Sequence, residues 1–111
     1  MTDELDDDAP RPIPDDCPYT LRRVRFAGGW ETPRFEAHLL RDGVHVATVA
    51  NGGSGGCHDY HPTVAGGWRA VREFEAYGHE WGTPLGIRHE QHDALICELL
   101  EQWWSTQPIY Q

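Results

Sequence analysis

The stretch RFEAHLLRDGVHVATVA, residues 34–50, carries the clearest structural signal in the chain. Apolar and polar side chains alternate on both sides of Asp42-Gly43, a dipeptide that favours the tight turn of a β-hairpin. The pattern therefore predicts two antiparallel strands joined by a type I′ turn. Their register matters, because a slip of one residue would exchange the two faces of a strand. The expected cross-strand pairs are Leu39 with Val46, Ala37 with Thr48, and Phe35 with Ala50.

The predicted hairpin has one face that is nearly all apolar, and other elements must cover this face. The opposite face carries His38 and His45 in diagonal positions, and we expect both histidines to be exposed. Residues 19–27 contain β-branched and aromatic side chains and predict a further strand that ends at two glycines. Strict alternation along this strand would place Leu21 and Phe26 on opposite faces.

Two amphipathic helices are predicted after the hairpin. Residues 63–77 show apolar side chains at helical spacing, with Gly78 as the expected C-cap. The last helix is expected to begin with His92 or Asp93 as its N-cap. Its apolar face contains Leu95, Ile96, Leu99, Leu100 and Trp103. The chain is therefore predicted to be an α+β domain, an antiparallel sheet of three or four strands with two helices packed on one face.

The length and charge of the chain indicate one domain with an acidic arm. A chain of 111 residues fits a single hydrophobic core. Its net charge is −9, but seven acidic residues and one basic residue within residues 1–16 supply −6 of that charge. Residues 1–18 are also rich in proline, so we expect a disordered acidic arm there and a single α+β domain over residues 19–111.

The composition also indicates the cellular compartment in which we expect the protein. No apolar run approaches the ~20 residues that a membrane span needs, and the acidic N-terminus lacks the basic and apolar regions of a signal peptide. The three cysteines are then expected to be free thiols, as is usual in a reducing compartment. We therefore expect a cytoplasmic protein that does not contact a membrane.

The segment after the hairpin is the main candidate site. Four glycines within five residues give a loop whose backbone can approach a ligand, a partner chain or a packed neighbour closely. A strand, a glycine-rich turn and a helix could also cradle a small anionic ligand, but neither dinucleotide-binding nor P-loop spacing is present, and the chain contains no lysine. The predicted binding residues are Asn51, Gly52, Gly53, Gly55, Gly56, Cys57, His58, Tyr60 and His61, with Trp104 as a second contact.

Two kinds of chemistry are alternatives for this segment. Zinc could be held by Cys57 or His58 together with His61, and completed from His89, His92 and Cys97 on the last part of the chain. A thiol enzyme could instead use Cys57 beside His58, but no oxyanion donor or orienting carboxylate is identifiable in the sequence. Cys97 is otherwise expected to be a small, semi-buried residue on the polar flank of the last helix.

Nucleic-acid binding is disfavoured at this point. Arg22, Arg23 and Arg25 could contact an anion, but the folded part is net acidic and the arm would repel a polyanion. A charged edge strand that resists aggregation explains the same three residues.

The segments Phe35-x-Ala37, Asp42-Gly43, Val46-x-x-Val49, Asn51-Gly52-Gly53-x-Gly55-Gly56 and Tyr60 together form a pattern. This pattern resembles one in short, uncharacterised bacterial and phage proteins, where a hairpin runs into an Asn-x-Gly-x-Gly-Gly loop. The resemblance covers about a quarter of the chain and implies a small stand-alone α+β domain related to phages or mobile elements. It implies no catalytic residue.

These observations favour a small, non-enzymatic binding module without a cofactor. A protein partner is expected to contact the glycine-rich loop, with Trp104 as a second anchor. The alternative is a metal-dependent or thiol enzyme that uses Cys57, His58 and His61.

Overall fold

The structure, a computed structural model, describes residues 13–27, 34–53, 57–64 and 66–106. It contains a four-stranded antiparallel sheet in the order β1-β2-β3-β4 and two helices that pack against it. The predicted α+β fold, with two helices covering one face of the sheet, is confirmed. The elements are β1 (Tyr19–Ala27), β2 (Arg34–Arg41), β3 (Val44–Asn51), β4 (Asp59–Pro62), α1 (Gly67–Gly82) and α2 (Gln91–Ser105).

The hydrophobic core lies between the sheet and the two helices. Both helices and the sheet contribute to the largest fully buried side chains, which are Phe74 of α1, Leu95 and Ile96 of α2, and Leu39 and Val49 of the sheet. Each such side chain stabilises the fold by about 1.5–3 kcal/mol through its removal from water. The core therefore holds both helices on the same side of the sheet and leaves the other side uncovered by any helix of the described part.

The hairpin turn is confirmed, but the predicted register of β3 is wrong. Asp42 and Gly43 have φ of 51° and 84°, the left-handed values that a type I′ turn requires at both positions. Beyond the turn, β3 carries one extra residue, Val46, because Leu40 pairs with His45 and Leu39 pairs with Ala47. This β-bulge reverses the faces of the rest of the strand. The observed pairs are Leu39 with Ala47, Ala37 with Val49, and Phe35 with Asn51.

A second bulge corrects the prediction for β1. The ladder between β1 and β2 shifts between Arg22 and Arg25, and Arg23 has φ of 52°. The extra residue turns Phe26 to the helix side, the same side as the buried Leu21, although strict alternation predicted opposite faces. Arg22 and Arg25 consequently share the side of the sheet that no helix covers.

Helix α1 begins later and ends later than predicted. It runs to Gly82, so Gly78 lies inside the helix and is not a C-cap. A Cβ atom at Gly78 would lie 2.6 Å from the backbone Cα of His92, so α1 and α2 touch backbone to backbone at this point. Only glycine permits this approach, which explains a helix-weakening residue in the middle of α1.

The predicted cap of α2 is also wrong. Glu90 is the N-cap residue, with φ of 51°, and its side chain makes no capping hydrogen bond. Asp93 instead lies in the first turn of α2 and is buried, with 8% of its surface exposed. Because its carboxylate does not cap the helix, it is available for contacts with other elements.

The predicted acidic arm falls mostly on residues 1–12, outside the described residues. Within residues 13–18, Ile13 and Cys17 pack against the core, and the carbonyl of Pro18 accepts a 2.8 Å hydrogen bond from the backbone N–H of Asp42. The bounds of arm and domain stay a prediction. Among the described residues, neither helix has the length and apolar character that crossing a membrane requires.

Candidate functional site

The site is built around the point where β3 ends and the glycine-rich loop begins. The bulge at Val46 turns Asn51, the last residue of β3, towards the helices, and only 7% of Asn51 is exposed. Its side-chain oxygen accepts a 2.8 Å hydrogen bond from the backbone N–H of Gly53, which has φ of 86°. This short Asx turn fixes the first residues of the loop and orients the Asn51 amide.

The far end of the loop is fixed through His58. Its backbone N–H donates to Oδ2 of Asp93 at 3.1 Å, and Nδ1 of its ring lies 3.1 Å from the amide nitrogen of Asn51. The ring also packs edge-on against Phe35, with centroids 5.1 Å apart. His58 therefore links the loop to β3 on one side and to α2 on the other.

Asp93 joins the remaining elements. Its Oδ1 accepts a 2.7 Å hydrogen bond from the hydroxyl of Tyr60 on β4, while Oδ2 accepts from the His58 backbone. The carboxylate lies in the first turn of α2, where the helix dipole favours negative charge. We call Asn51, His58, Tyr60 and Asp93 the loop clamp, because together they tie both ends of the loop to β3, β4 and α2.

The hydrogen bonds of the loop clamp determine the tautomer of His58. The Asn51 oxygen is occupied by the Gly53 N–H, so the Asn51 amide nitrogen faces the ring and donates to Nδ1 of His58. A neutral His58 must then carry its proton on Nε2, which lies 3.9 Å from the sulfur of Cys97. A base that activates a thiol needs a free lone pair facing the sulfur, and this tautomer presents a proton there instead.

The pKa shifts agree with a cluster that is held neutral around one carboxylate. Burial lowers the pKa of His58, although the nearby Asp93 opposes this shift. Cys97 lies at the surface, yet partial burial and the charge of Asp93 raise the pKa of its thiol. Burial and the Asp93 carboxylate raise the pKa of Tyr60 far above its ordinary value. None of these shifts produces the thiolate or poised base that catalysis would use.

The other predicted site residues are dispersed. Gly52 and Cys57 are exposed at the two ends of the loop, whereas Gly55 and Gly56 lie outside the described residues. His61 is exposed and pairs with Thr48 on the uncovered side of the sheet, away from His58. Trp104 lies at the far end of α2 with 64% of its surface exposed, and its ring contacts Phe26 at 5.9 Å. The structure thus brings together Asn51, Gly53, His58 and Tyr60 only.

The proposed zinc ligands do not form one cluster. No group of three or more His, Cys, Asp or Glu side chains in the described ranges is arranged to hold a metal ion. His92 packs on Tyr60 and lies 3.6 Å from Asp93, and His89 is exposed on the loop before α2. Only Cys97 of the suggested second set reaches His58.

Sequence reasoning missed the central residue of the site. Asp93 had a sufficient local explanation as a helix cap, and it lies 35 positions after His58. A carboxylate directly before the apolar run of Ala94, Leu95 and Ile96 was the available signal, because burial of such a residue requires hydrogen-bond donors from elsewhere. The donors themselves could not be identified without the bulge in β3.

Comparisons with protein-family models, with curated proteins and with solved structures give no match. The function therefore has to be inferred from the residues and geometry described above.

Proposed function

We propose that this protein is a small, non-enzymatic binding module whose glycine-rich loop contacts a protein partner in the cytoplasm. The observation that carries this proposal is the loop clamp, which fixes both ends of the loop through side chains that satisfy one another. A loop that is already held loses less conformational entropy on binding. Gly52 is exposed, and the absence of a side chain there lets a partner approach the backbone closely.

The chemistry of the clamp argues against the enzyme alternative. A reacting group needs an accessible lone pair or proton, and the Asn51 amide, the Nδ1 of His58 and the Asp93 carboxylate are occupied by hydrogen bonds within the protein. Cys57 is exposed, but its neighbour His58 directs its ring towards Asn51 and Phe35. Buried polar groups with satisfied hydrogen bonds are typical of structural networks.

Three further parts of the proposal have support of their own. All three cysteines are free, which agrees with a reducing compartment such as the cytoplasm. The resemblance to short bacterial and phage proteins supports a role linked to a phage or mobile element. The exposed Trp104, which packs against Phe26, is a second contact for the same partner.

Site-specific photo-crosslinking tests the proposal. A photoreactive phenylalanine analogue at Gly52 should capture a discrete partner, since no described atom lies within 4 Å of a Cβ built there. The matched control places the same analogue at Glu80, an exposed residue of α1. We expect capture from position 52 and none from position 80.

The captured protein is then purified and titrated against the unmodified chain and Asp93→Asn. The proposal predicts at least a tenfold loss of affinity for Asp93→Asn with the fold retained, because only one of the two acceptors that hold the loop remains. Equal capture from both positions, or unchanged affinity of the variant, would contradict it. Turnover abolished by Cys57→Ala in a folded protein would establish the enzyme alternative instead.

A further inference from the structure

The second surface of interest is the side of the sheet that faces away from the helices. Residues that pair with one another across the strands form rows on this side, and the central row contains one residue from each of the four strands. Neither α1 nor α2 covers this side, which we call the open face, although Leu40 near its end is buried. The central row consists of Arg22, His38, Thr48 and His61.

Positive charge is concentrated on the open face. Arg22 and Arg25 occupy ladder positions on this side, and Arg34 precedes the inward-facing Phe35 on β2. Arg25 forms an ion pair with Glu36 at 3.3 Å, but both side chains are well exposed, so a phosphate can replace the carboxylate. Arg22, Arg23 and Arg34 have no ion pair with any carboxylate in the part of the chain that the structure describes. Unpaired guanidinium groups are ready to bind an anion.

The net acidity of the chain is separated from this face. Helices α1 and α2 contain six acidic residues and two arginines. The open face carries Arg22, Arg25 and Arg34 against Glu36 and Asp59, whereas the strand residue Arg41 pairs with Glu73 of α1 on the helix side. Helices and open face lie on opposite sides of the sheet, about 10 Å or more apart, which is the Debye length at ~0.1 M salt. The overall charge of −9 therefore does not exclude a polyanion from the open face.

The open face also presents flat rings. His38 and His45 were expected to be exposed, but both are half-buried, because their rings stack with their centroids 3.9 Å apart and an interplanar angle of 3°. Nε2 of His45 also lies 3.4 Å from the hydroxyl of Thr48. Burial, the neighbouring His45 and the nearby Arg23 lower the pKa of His38, which favours its uncharged ring. A pair of stacked imidazole rings beside arginines can receive a nucleobase, and the guanidinium groups can receive phosphates.

We propose that the open face binds single-stranded nucleic acid through the stacked pair His38 and His45 and through Arg22 and Arg25. This surface is distinct from the glycine-rich loop, and the inference goes beyond the proposed function. An acidic protein segment would use the arginines, but it would gain nothing from the stacked rings. The combination of flat rings and guanidinium groups therefore favours a nucleic acid.

Fluorescence anisotropy of the full chain with labelled oligouridine RNA and oligothymidine DNA of about 12 nucleotides tests this inference. We expect binding that weakens steeply between about 50 mM and 200 mM salt. Arg22→Gln combined with Arg25→Gln should weaken binding about tenfold. It should also reduce the slope of log affinity against log salt concentration by the amount expected for about one to two phosphate contacts. Tighter binding of one oligomer would identify RNA or DNA as the natural class.

Matched variants separate the open face from general charge effects. Arg69→Gln combined with Arg72→Gln removes two exposed arginines from α1 and should change the affinity by less than about twofold. His38→Ala should weaken binding about fivefold through lost stacking, whereas His89→Ala, at an exposed loop position, should not. Circular dichroism verifies that each variant is folded.

Three results would overturn the inference. The first is no binding of either oligomer at low salt. The second is an equal loss of affinity in the α1 variant and the open-face variant. The third is displacement of the oligomer by a polyglutamate peptide that carries the same charge as the oligomer and is present at the same concentration. That result would show that the open face binds an acidic protein segment instead.

Discussion

The loop clamp and the open face use the same kinds of side chain in opposite ways. His58 is enclosed by Asn51, Phe35 and Cys97, and its hydrogen bonds are made within the protein. His38 stacks on His45 at the other side of the sheet, and arginines without carboxylate partners in the described structure lie beside it. A buried polar group that is satisfied internally serves the fold, whereas half-buried rings and exposed arginines at the surface of the sheet remain accessible to a ligand. The role of a histidine in this chain follows from its environment.

The largest expected effect comes from the carboxylate at the centre of the loop clamp. Asp93→Ala should lower the free energy of unfolding by about 3 kcal/mol, because the Tyr60 hydroxyl and the His58 N–H lose their charged acceptor. Asp93→Asn keeps one acceptor and should cost about half as much. Urea denaturation measures both values, with Glu101→Ala on the exposed side of α2 as the control. Equal stability of all three variants would show that the clamp does not support the fold.

Gly78→Ala is expected to have the next largest effect. The added methyl group would lie 2.6 Å from the His92 Cα, so α1 and α2 must separate, at a cost of about 2 kcal/mol. The separation would also shift the first turn of α2 and with it Asp93. Glu80→Ala, at an exposed position of the same helix, should be neutral or slightly stabilising. A stable Gly78→Ala variant in thermal denaturation would contradict the close approach.

A smaller effect concerns pH. Because the pKa of folded His58 is lowered from its ordinary value of 6.5, the unfolded chain binds more protons as the pH falls below that value. The contribution of His58 to stability is therefore complete above pH 6.5 and decreases at lower pH, by at most about 1.4 kcal/mol per pH unit for one proton.

Urea denaturation at a series of pH values measures this dependence. His58→Gln should show a weaker pH dependence than the unmodified chain. The same slope in His58→Gln and the unmodified chain would show that His58 does not titrate abnormally.

The smallest expected effect on stability comes from the open face. Glu36→Gln breaks the ion pair with Arg25, but both side chains are well exposed, so the loss should be within about 0.5 kcal/mol. The same variant should bind the labelled oligomer more tightly, because it removes one of the two acidic residues on the strands. Anisotropy titration checks the affinity, and weaker binding by Glu36→Gln would contradict the assignment of this face to a polyanion.

The predictable part of the fold followed from local patterns. Alternation around Asp42-Gly43 predicted the hairpin, and helical spacing predicted the two helices and the side they cover. Both errors of register arose at bulges, at Val46 and near Arg23. A bulge is favoured by contacts with distant residues, such as the Val46 carbonyl that accepts from the Thr63 N–H, and these are not visible in a local pattern.

The candidate site was predicted only in part, because it too depends on contacts between residues that are distant in the sequence. Asn51, His58 and Tyr60 lie within the segment that the glycines marked, but their joint role depends on Asp93 from the last helix. The bulge at Val46 decides whether Asn51 points towards that residue or towards solvent. His61, predicted with them, pairs with Thr48 on the other side of the sheet. A sequence pattern could therefore locate the loop but not the side chains that hold it.

Nitrogen-15 NMR of the histidine rings in the full chain, at neutral pH, tests the central claim most directly. If the loop clamp is a structural network, His58 is a neutral imidazole with its proton on Nε2 and with Nδ1 accepting from Asn51. A proton on Nδ1, or an imidazolium paired with a Cys97 thiolate, would contradict the account. That result would make His58 and Cys97 a reactive pair and the loop above them part of an active site.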